Sequence, residues 1–386
     1  MTATANRIAS LDITRGLIVA IMALDHVRIF FTNAQFDPVD LSQTTPAWFF
    51  MRIVTHICAP GFFFIAGFGA ALSEANGMSK RVVAGFLLTR GIWLIALELT
   101  VMGAAWSFGL NGWFWFGVLW CLGASMIALA ALIFAPRLIL LVVAIAAVLL
   151  QEQWLALIPA EQGSIGALFA TGGVWEVPSL GPKLVLFPLL PWLSLMAIGY
   201  AATPMLLRDA KPRGALIMAI GVVLMILFVA ARVLGIGGGV APDDPQQVMA
   251  FLNVEKYPPS LQFSLLTLGA LLAFFGIVAT LEAHGRPMRM LHPVRTYGRV
   301  PFFFYVLHIP LIHGAALLCA TMFGWPRDYL FWEGTSWPQL TPPDGYGLAP
   351  FGVYLAWLVI LVVLYVACLW FASVKDQHKT WWLRYF

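Results

Sequence analysis

The chain has 386 residues, of which 61% are hydrophobic and only 10% charged, and its mean hydropathy of +0.87 excludes a soluble globular domain. The net charge of +4 comes from basic residues spread over short polar segments, so no nucleic-acid partner is indicated. The four cysteines sit in apolar stretches without close spacing and suggest neither a disulfide framework nor a zinc site.

Apolar stretches of about 20 residues, long enough to cross the hydrocarbon core, recur near 11–31, 51–73, 82–106, 113–134, 137–150, 184–205, 214–236, 261–282, 300–323 and 349–373. The fifth is short and fits a re-entrant segment as well as a span. The pattern predicts an all-α fold: a polytopic integral membrane helical bundle of about ten transmembrane helices, forming one domain over residues 1–386. Lys80-Arg81, Arg137, the run from Arg208 to Arg213, Arg286 to Arg299 and Lys375 to Arg384 all fall on one side of such a bundle. The opposite loops, 32–50, 151–183, 237–260 and 324–348, hold few basic residues. The positive-inside rule then puts both termini in the cytoplasm.

The first segment is unusual for a span. It carries Asp12, Arg15, Asp25, His26 and Arg28, and an ionisable side chain at membrane depth costs on the order of 2.5–3.5 kcal/mol by insertion scales. Asp12 and Arg15 also interrupt any signal-peptide core. At about 100° per residue, Asp12, Arg15 and His26 share one helix face, and Arg15 and His26 lie about 16 Å apart along its axis. Asp25 and Arg28, three apart, are placed to pair on a different face. Arg28 is equally suited to reach the outer interface by snorkelling.

In the second segment His56 lies at a depth similar to His26, and Pro60 removes the donor to the His56 carbonyl, so a kink is expected there. The third segment holds Arg90 and Glu98 near one face, with no role legible in the sequence. In the ninth, Tyr305 and His308 share a face while His308 and His313 lie about 140° apart. Tryptophans 48, 106, 113, 115, 325, 332 and 337 cluster at the outer edge, as an interfacial belt or as stacking surfaces for a sugar. Gly235-Ile236-Gly237-Gly238-Gly239 has no strand before it and is no dinucleotide loop. No Walker motif, His-Glu-x-x-His or Gly-x-Ser-x-Gly occurs.

The blocks Ser10 to Leu17, Met22 to Arg28, Thr55 to Phe62, Glu255 to Leu261 and Tyr297 to His308 resemble, in order, bacterial transmembrane acyltransferases related to the heparan-α-glucosaminide N-acetyltransferase catalytic domain. The resemblance implies a plasma (inner) membrane enzyme that takes an acetyl group from cytosolic acetyl-CoA, or another acyl-CoA. It delivers that group to a hydroxyl or amino group of a carbohydrate or amino-sugar acceptor on the far side, without a metal. On this reading Asp12 and Arg15, with Arg299, serve the acyl-CoA at the inner mouth. His26 and His56 act at the acceptor, one or the other as general base, Asp25, Tyr305 and His308 orient them, and Tyr305 and Arg28 contact the substrate. An oligomer is compatible with this reading. Animal members carry Asn at the place of His26 and their active histidine slightly later, where this chain has none before His56. Direct transfer is therefore expected rather than a covalent acetyl-histidine. A proton-coupled secondary transporter using Asp25, His26 and His56 is the alternative, although no duplicated halves are visible.

Overall fold

The computed structural model describes residues 8–108, 116–158, 163–177, 181–209, 211–236, 245–331 and 341–378, with Thr380 and Leu383. Helix α1 (Ala9–Phe31) is followed by α2 (Pro46–Thr55) and α3 (Cys58–Ala75), which form one apolar rod broken at His56-Ile57. The break falls where the sequence requires it: Pro60 occupies the first turn of α3, and the His56 amide bonds Ile53 O at 3.0 Å in a tightened last turn of α2. Helix α4 (Lys80–Leu97) passes through a π-helical turn, Glu98–Met102, into α5 (Gly103–Ser107).

Next come α6 (Val118–Leu132), α7 (Arg137–Leu149), the short α8 (Gln151–Ala156) and an antiparallel hairpin of β1 (Gly173–Val177) and β2 (Gly181–Val185). Helix α9 (Leu189–Leu206) leads through the two-residue strands β3 (Leu207–Arg208) and β4 (Lys211–Pro212) to α10 (Gly214–Val233). Helices α11 (Pro245–Leu252), α12 (Leu261–Ala283), α13 (His292–Arg299), α14 (Pro301–Phe323) and α15 (Pro350–Gln377) complete the described chain. The strands were not expected from the sequence. Each pair is held by its own ladder, and β2 is also tied to the bundle: the Phe116 amide bonds Leu184 O, and the Leu186 amide bonds Phe116 O.

Seven helical stretches are long and apolar enough to cross a membrane. Helix α1 is equally long but charged, and α6 and α7, at 15 and 13 residues, are shorter apolar helices. Side-chain bonds reveal an alternation of direction. At one end, here called the basic end, Glu282 near the end of α12 accepts from the amides of Ala9 and Ser10 at the start of α1 (2.7 and 2.8 Å). At the same end Arg137 meets Glu74 at 2.7 Å, Lys80 meets Ile133 O at 2.7 Å, and Arg299 meets Asp376. At the opposite, far end, the amide of Asn33 just beyond α1 bonds Leu348 O before α15.

Close approach depends on small residues, as in other membrane bundles, where backbone packing replaces the hydrophobic effect between helices. A Cβ on Gly298 of α13 would lie 1.6 Å from the Asp12 carbonyl oxygen, and one on Gly16 of α1 would lie 1.7 Å from Val294 O. No side chain fits at either place, so the basic helix α13 lies directly on the charged first turns of α1.

Candidate functional site

A cavity of about 410 Å³ opens at the far end of the bundle. From α1 it is lined by Asp25, His26 and Arg28, from α2 by Arg52, from the π turn by Glu98, and from α14 by Tyr305. Trp106 supplies an aromatic wall, and Lys256 and Tyr257 come from the loop between α11 and α12.

That loop is fixed from three directions. Arg232 of α10 grips the carbonyls of Phe251, Ala250 and Asn253 at 2.9, 2.8 and 2.9 Å. Gln151 donates to Pro259 O at 2.6 Å, and Asn253 donates to Val39 O at 3.0 Å, tying the loop to the segment after α1. Charged side chains on an anchored loop stay near one geometry, as a binding surface requires.

Around Asp25 the charges form a fork. Arg28 Nε and Nη2 both donate to Asp25 Oδ1, at 3.2 and 3.0 Å, and Arg52 donates to Oδ2. All three side chains are at most 15% exposed, so the carboxylate holds two guanidiniums where water has little access. Beside them, in the loop, the Tyr257 phenol is raised by desolvation. The positive charges of Lys256 and Arg52 outweigh that effect and hold it below the ordinary tyrosine range.

The sequence placed Asp25 and Arg28 on a different face from His26, but all three line the same cavity. The helical wheel is unchanged; the volume wraps around the end of α1, because the segment after it and the loop before α12 fold over that end.

His26, in the cavity wall, is paired with His308 behind it. His26 Nδ1 lies 2.7 Å from His308 Nε2, with ring centroids 4.9 Å apart. His308 Nδ1 in turn contacts the carbonyl oxygen of Tyr305, one turn earlier in its own helix. A carbonyl only accepts, so Nδ1 of His308 carries a proton. In the neutral ring Nε2 is then an acceptor, and its partner, His26 Nδ1, must be the donor. This chain of bonds fixes the tautomer of His26 and leaves its Nε2 with a lone pair. Trp106 meets the His26 ring edge-on at 5.1 Å and stacks on Phe30 at 5.3 Å, which limits rotation of the imidazole. Trp106, assigned from sequence to an interfacial belt or sugar platform, is 8% exposed and part of this inner wall.

The remaining expected residues are distributed differently. His56, 3% exposed, is not among the cavity-lining residues; its ring sits 5.5 Å from Phe263 of α12. Asp12 is buried, with its carboxylate 3.9 Å from Arg15, and both lie at the basic end with Arg299, which bonds Asp376. Arg90, without a legible role in the sequence, lies 5.7 Å over both the Phe86 and Phe302 rings. Glu98 faces the cavity and accepts from the Leu119 amide at 2.9 Å, capping the start of α6. Tryptophans 113, 115, 332 and 337, and Gly237, Gly238 and Gly239, lie outside the described residues. Sequence reasoning missed Arg52, Lys256 and Glu98 as cavity residues. For Arg52 a signal existed, a second intramembrane arginine four residues before His56.

An apolar helix bundle with a charged, aromatic-walled cavity at one end defines a multi-pass membrane protein with a buried polar site. Residues 7–236, more than half of the chain, match the family model described as heparan-alpha-glucosaminide N-acetyltransferase, catalytic. The chain belongs to that membrane acetyltransferase family. The match contains α1 to α10, with Asp25, His26, Arg28, Arg52 and Glu98; Lys256, Tyr305 and His308 come from the chain beyond it. A search of curated proteins returns no match.

Proposed function

We propose that the protein is a membrane-bound acyltransferase that moves an acetyl or similar acyl group from cytosolic acetyl-CoA to a hydroxyl or amino group of a sugar-containing acceptor on the extracytoplasmic side. The bundle crosses the membrane about ten times, with the basic end and both termini in the cytoplasm. The basic residues gathered at that end support this orientation. Arg15 and Asp12 organise the entry for the acyl-CoA phosphates; Arg299, already bonded to Asp376, takes a lesser share.

The observation that carries the reading is the series Tyr305 carbonyl, His308, His26, whose last ring lines a charged cavity and, by the bonding order above, keeps a lone pair on Nε2. His26 Nε2 takes the proton from the acceptor hydroxyl or amine. The acceptor oxygen or nitrogen forms a bond to the thioester carbonyl carbon, the carbon–sulfur bond breaks, and the coenzyme thiolate recovers the proton from the imidazolium. His308 Nε2 accepts from His26 Nδ1 throughout, so the cation formed on His26 is shared with a bonded neighbour rather than left alone in an apolar wall. Asp25 holds Arg28 and Arg52 beside this base. Tyr305 lines the acceptor side, and His56 acts only through the geometry of the α2–α3 break.

The test is vectorial transfer in sealed proteoliposomes, with labelled acetyl-CoA on the basic-end side and glucosamine on the other. Acetylated sugar accumulating in the glucosamine compartment is the expected result. Proton-coupled sugar uptake with no acetylated product would replace the enzyme by a transporter.

A further inference from the structure

The described cavity-lining residues include three basic side chains, Arg28, Arg52 and Lys256, of which the two arginines share the buried carboxylate of Asp25. Of the other two acidic groups of the lining, Glu98 is turned to α6, while Asp37 at the rim offsets part of the Arg28 charge and none of the Lys256 charge. Glu98 caps the Leu119 amide on the α6 side, and Asp37 accepts from the Val39 amide at the exposed rim. Asp25 uses both oxygens on the two arginines. A guanidinium has five N–H donors, and Arg28 spends two of them on Asp25. The Lys256 ammonium makes no ion pair among the described residues and lies 5.0 Å over the Tyr257 ring and 5.9 Å over Phe187, and it shares the Tyr257 phenol with Arg52. Clustered like charges in a partly enclosed volume repel one another and are stabilised by an incoming anion.

We infer that Arg28, Arg52 and Lys256 form an anion subsite, and that the acceptor is a sugar derivative bearing a carboxylate or phosphate beside the nucleophilic hydroxyl or amine. The inference rests on the acyltransferase reading above and adds to it the charge of the acceptor. Arg28 and Arg52 offer planar donors suited to two oxygens of one anion, and Lys256 adds a mobile point charge.

Lys256 is the residue to vary, because its replacement leaves the Asp25 fork intact, whereas loss of Arg52 removes a buried partner of Asp25. Thermal stability of detergent-purified full-length protein is measured with glucose, glucuronate, glucose 6-phosphate and, separately, acetyl-CoA. Ligand binding to the folded state raises the melting temperature. The expected result is stabilisation by one or both anionic sugars over glucose at matched ionic strength. Apparent affinity should fall about tenfold or more in Lys256→Gln, the loss of one hydrogen bond to a charged group, and fall further in Lys256→Glu. Stabilisation by acetyl-CoA should persist in both variants.

Equal responses to glucose and the anions, or an anion response unchanged in Lys256→Glu, would overturn the subsite while leaving the acetyl-CoA arm to stand for the acyltransferase. Loss of the acetyl-CoA response in Lys256→Glu would assign the cations to the donor and also overturn it. Stabilisation by phosphatidylglycerol micelles that abolishes the sugar-anion response would give the site to a lipid headgroup instead. An anion response without any acetyl-CoA response would keep the subsite and sink the enzyme.

Discussion

Helix α14 carries two buried histidines five residues apart, and the bundle treats them in opposite ways. His308 is bonded through Nδ1 to its own helix and through Nε2 to His26, which opens on the cavity. His313 donates through Nδ1 to Ala105 O at 3.0 Å and is stacked between Phe108 at 3.7 Å and Phe30 at 4.7 Å. Both are completely buried. The first extends a chain of polar atoms to an open volume; the second fills an aromatic slot and ends there. Burial of an imidazole in a membrane bundle therefore does not by itself mark chemistry. What marks it is whether the hydrogen-bond chain terminates at a space that a substrate can enter.

Four substitutions break or sharpen this contrast. The largest effect is expected at the fork that holds the cavity side: Asp25→Leu leaves Arg28 and Arg52 without their shared carboxylate, and loss of one partner of a buried pair costs about 3–5 kcal/mol. That variant should fail to accumulate as a monodisperse species on size exclusion in detergent. His308→Phe keeps the ring stack but removes the acceptor for His26 Nδ1; kcat should fall about 5- to 150-fold, the equivalent of about 1–3 kcal/mol for an unsatisfied buried donor. KM for acetyl-CoA should stay constant there, a split that general loss of folding would not produce. Glu98→Gln retains an acceptor for the Leu119 amide and loses the charge, so thermal stability should change by less than about 1 kcal/mol. The smallest effect belongs to His313→Phe, which should keep acetyl transfer within about twofold, since aromatic volume is conserved in the slot. A loss of transfer there as large as at His308 would erase the distinction between the two histidines.

Much of the scaffold was legible because membrane crossing imposes a long apolar run, and the helices observed at Ala9–Phe31, Gly214–Val233, Leu261–Ala283 and Pro301–Phe323 follow the predicted stretches closely. The break at His56-Ile57 was legible from Pro60, a purely local effect of a missing amide proton. The site was legible only in part. His26, Asp25 and Arg28 stood out by their energetic cost in a span, and Tyr305 and His308 by their common face. Their meeting with Arg52 of α2 and Lys256 of a distant loop depends on how Arg232, Gln151 and Asn253 anchor that loop, and no periodicity within one segment encodes it. The pairing of β1 with β2 was likewise invisible, because the strands have five residues each and β2 draws further bonds from Phe116, distant in sequence.

The central claim is that His26, through the nitrogen not bonded to His308, is the base of the transfer step. Single-turnover acetyl transfer by His26→Ala protein in lipid, compared with wild type after confirmation of equal insertion and melting temperature, tests it most directly. The rate of the chemical step should fall by about 10²–10⁴-fold, the usual worth of a general base, with acetyl-CoA binding retained. Transfer at the wild-type rate in that variant would contradict the account.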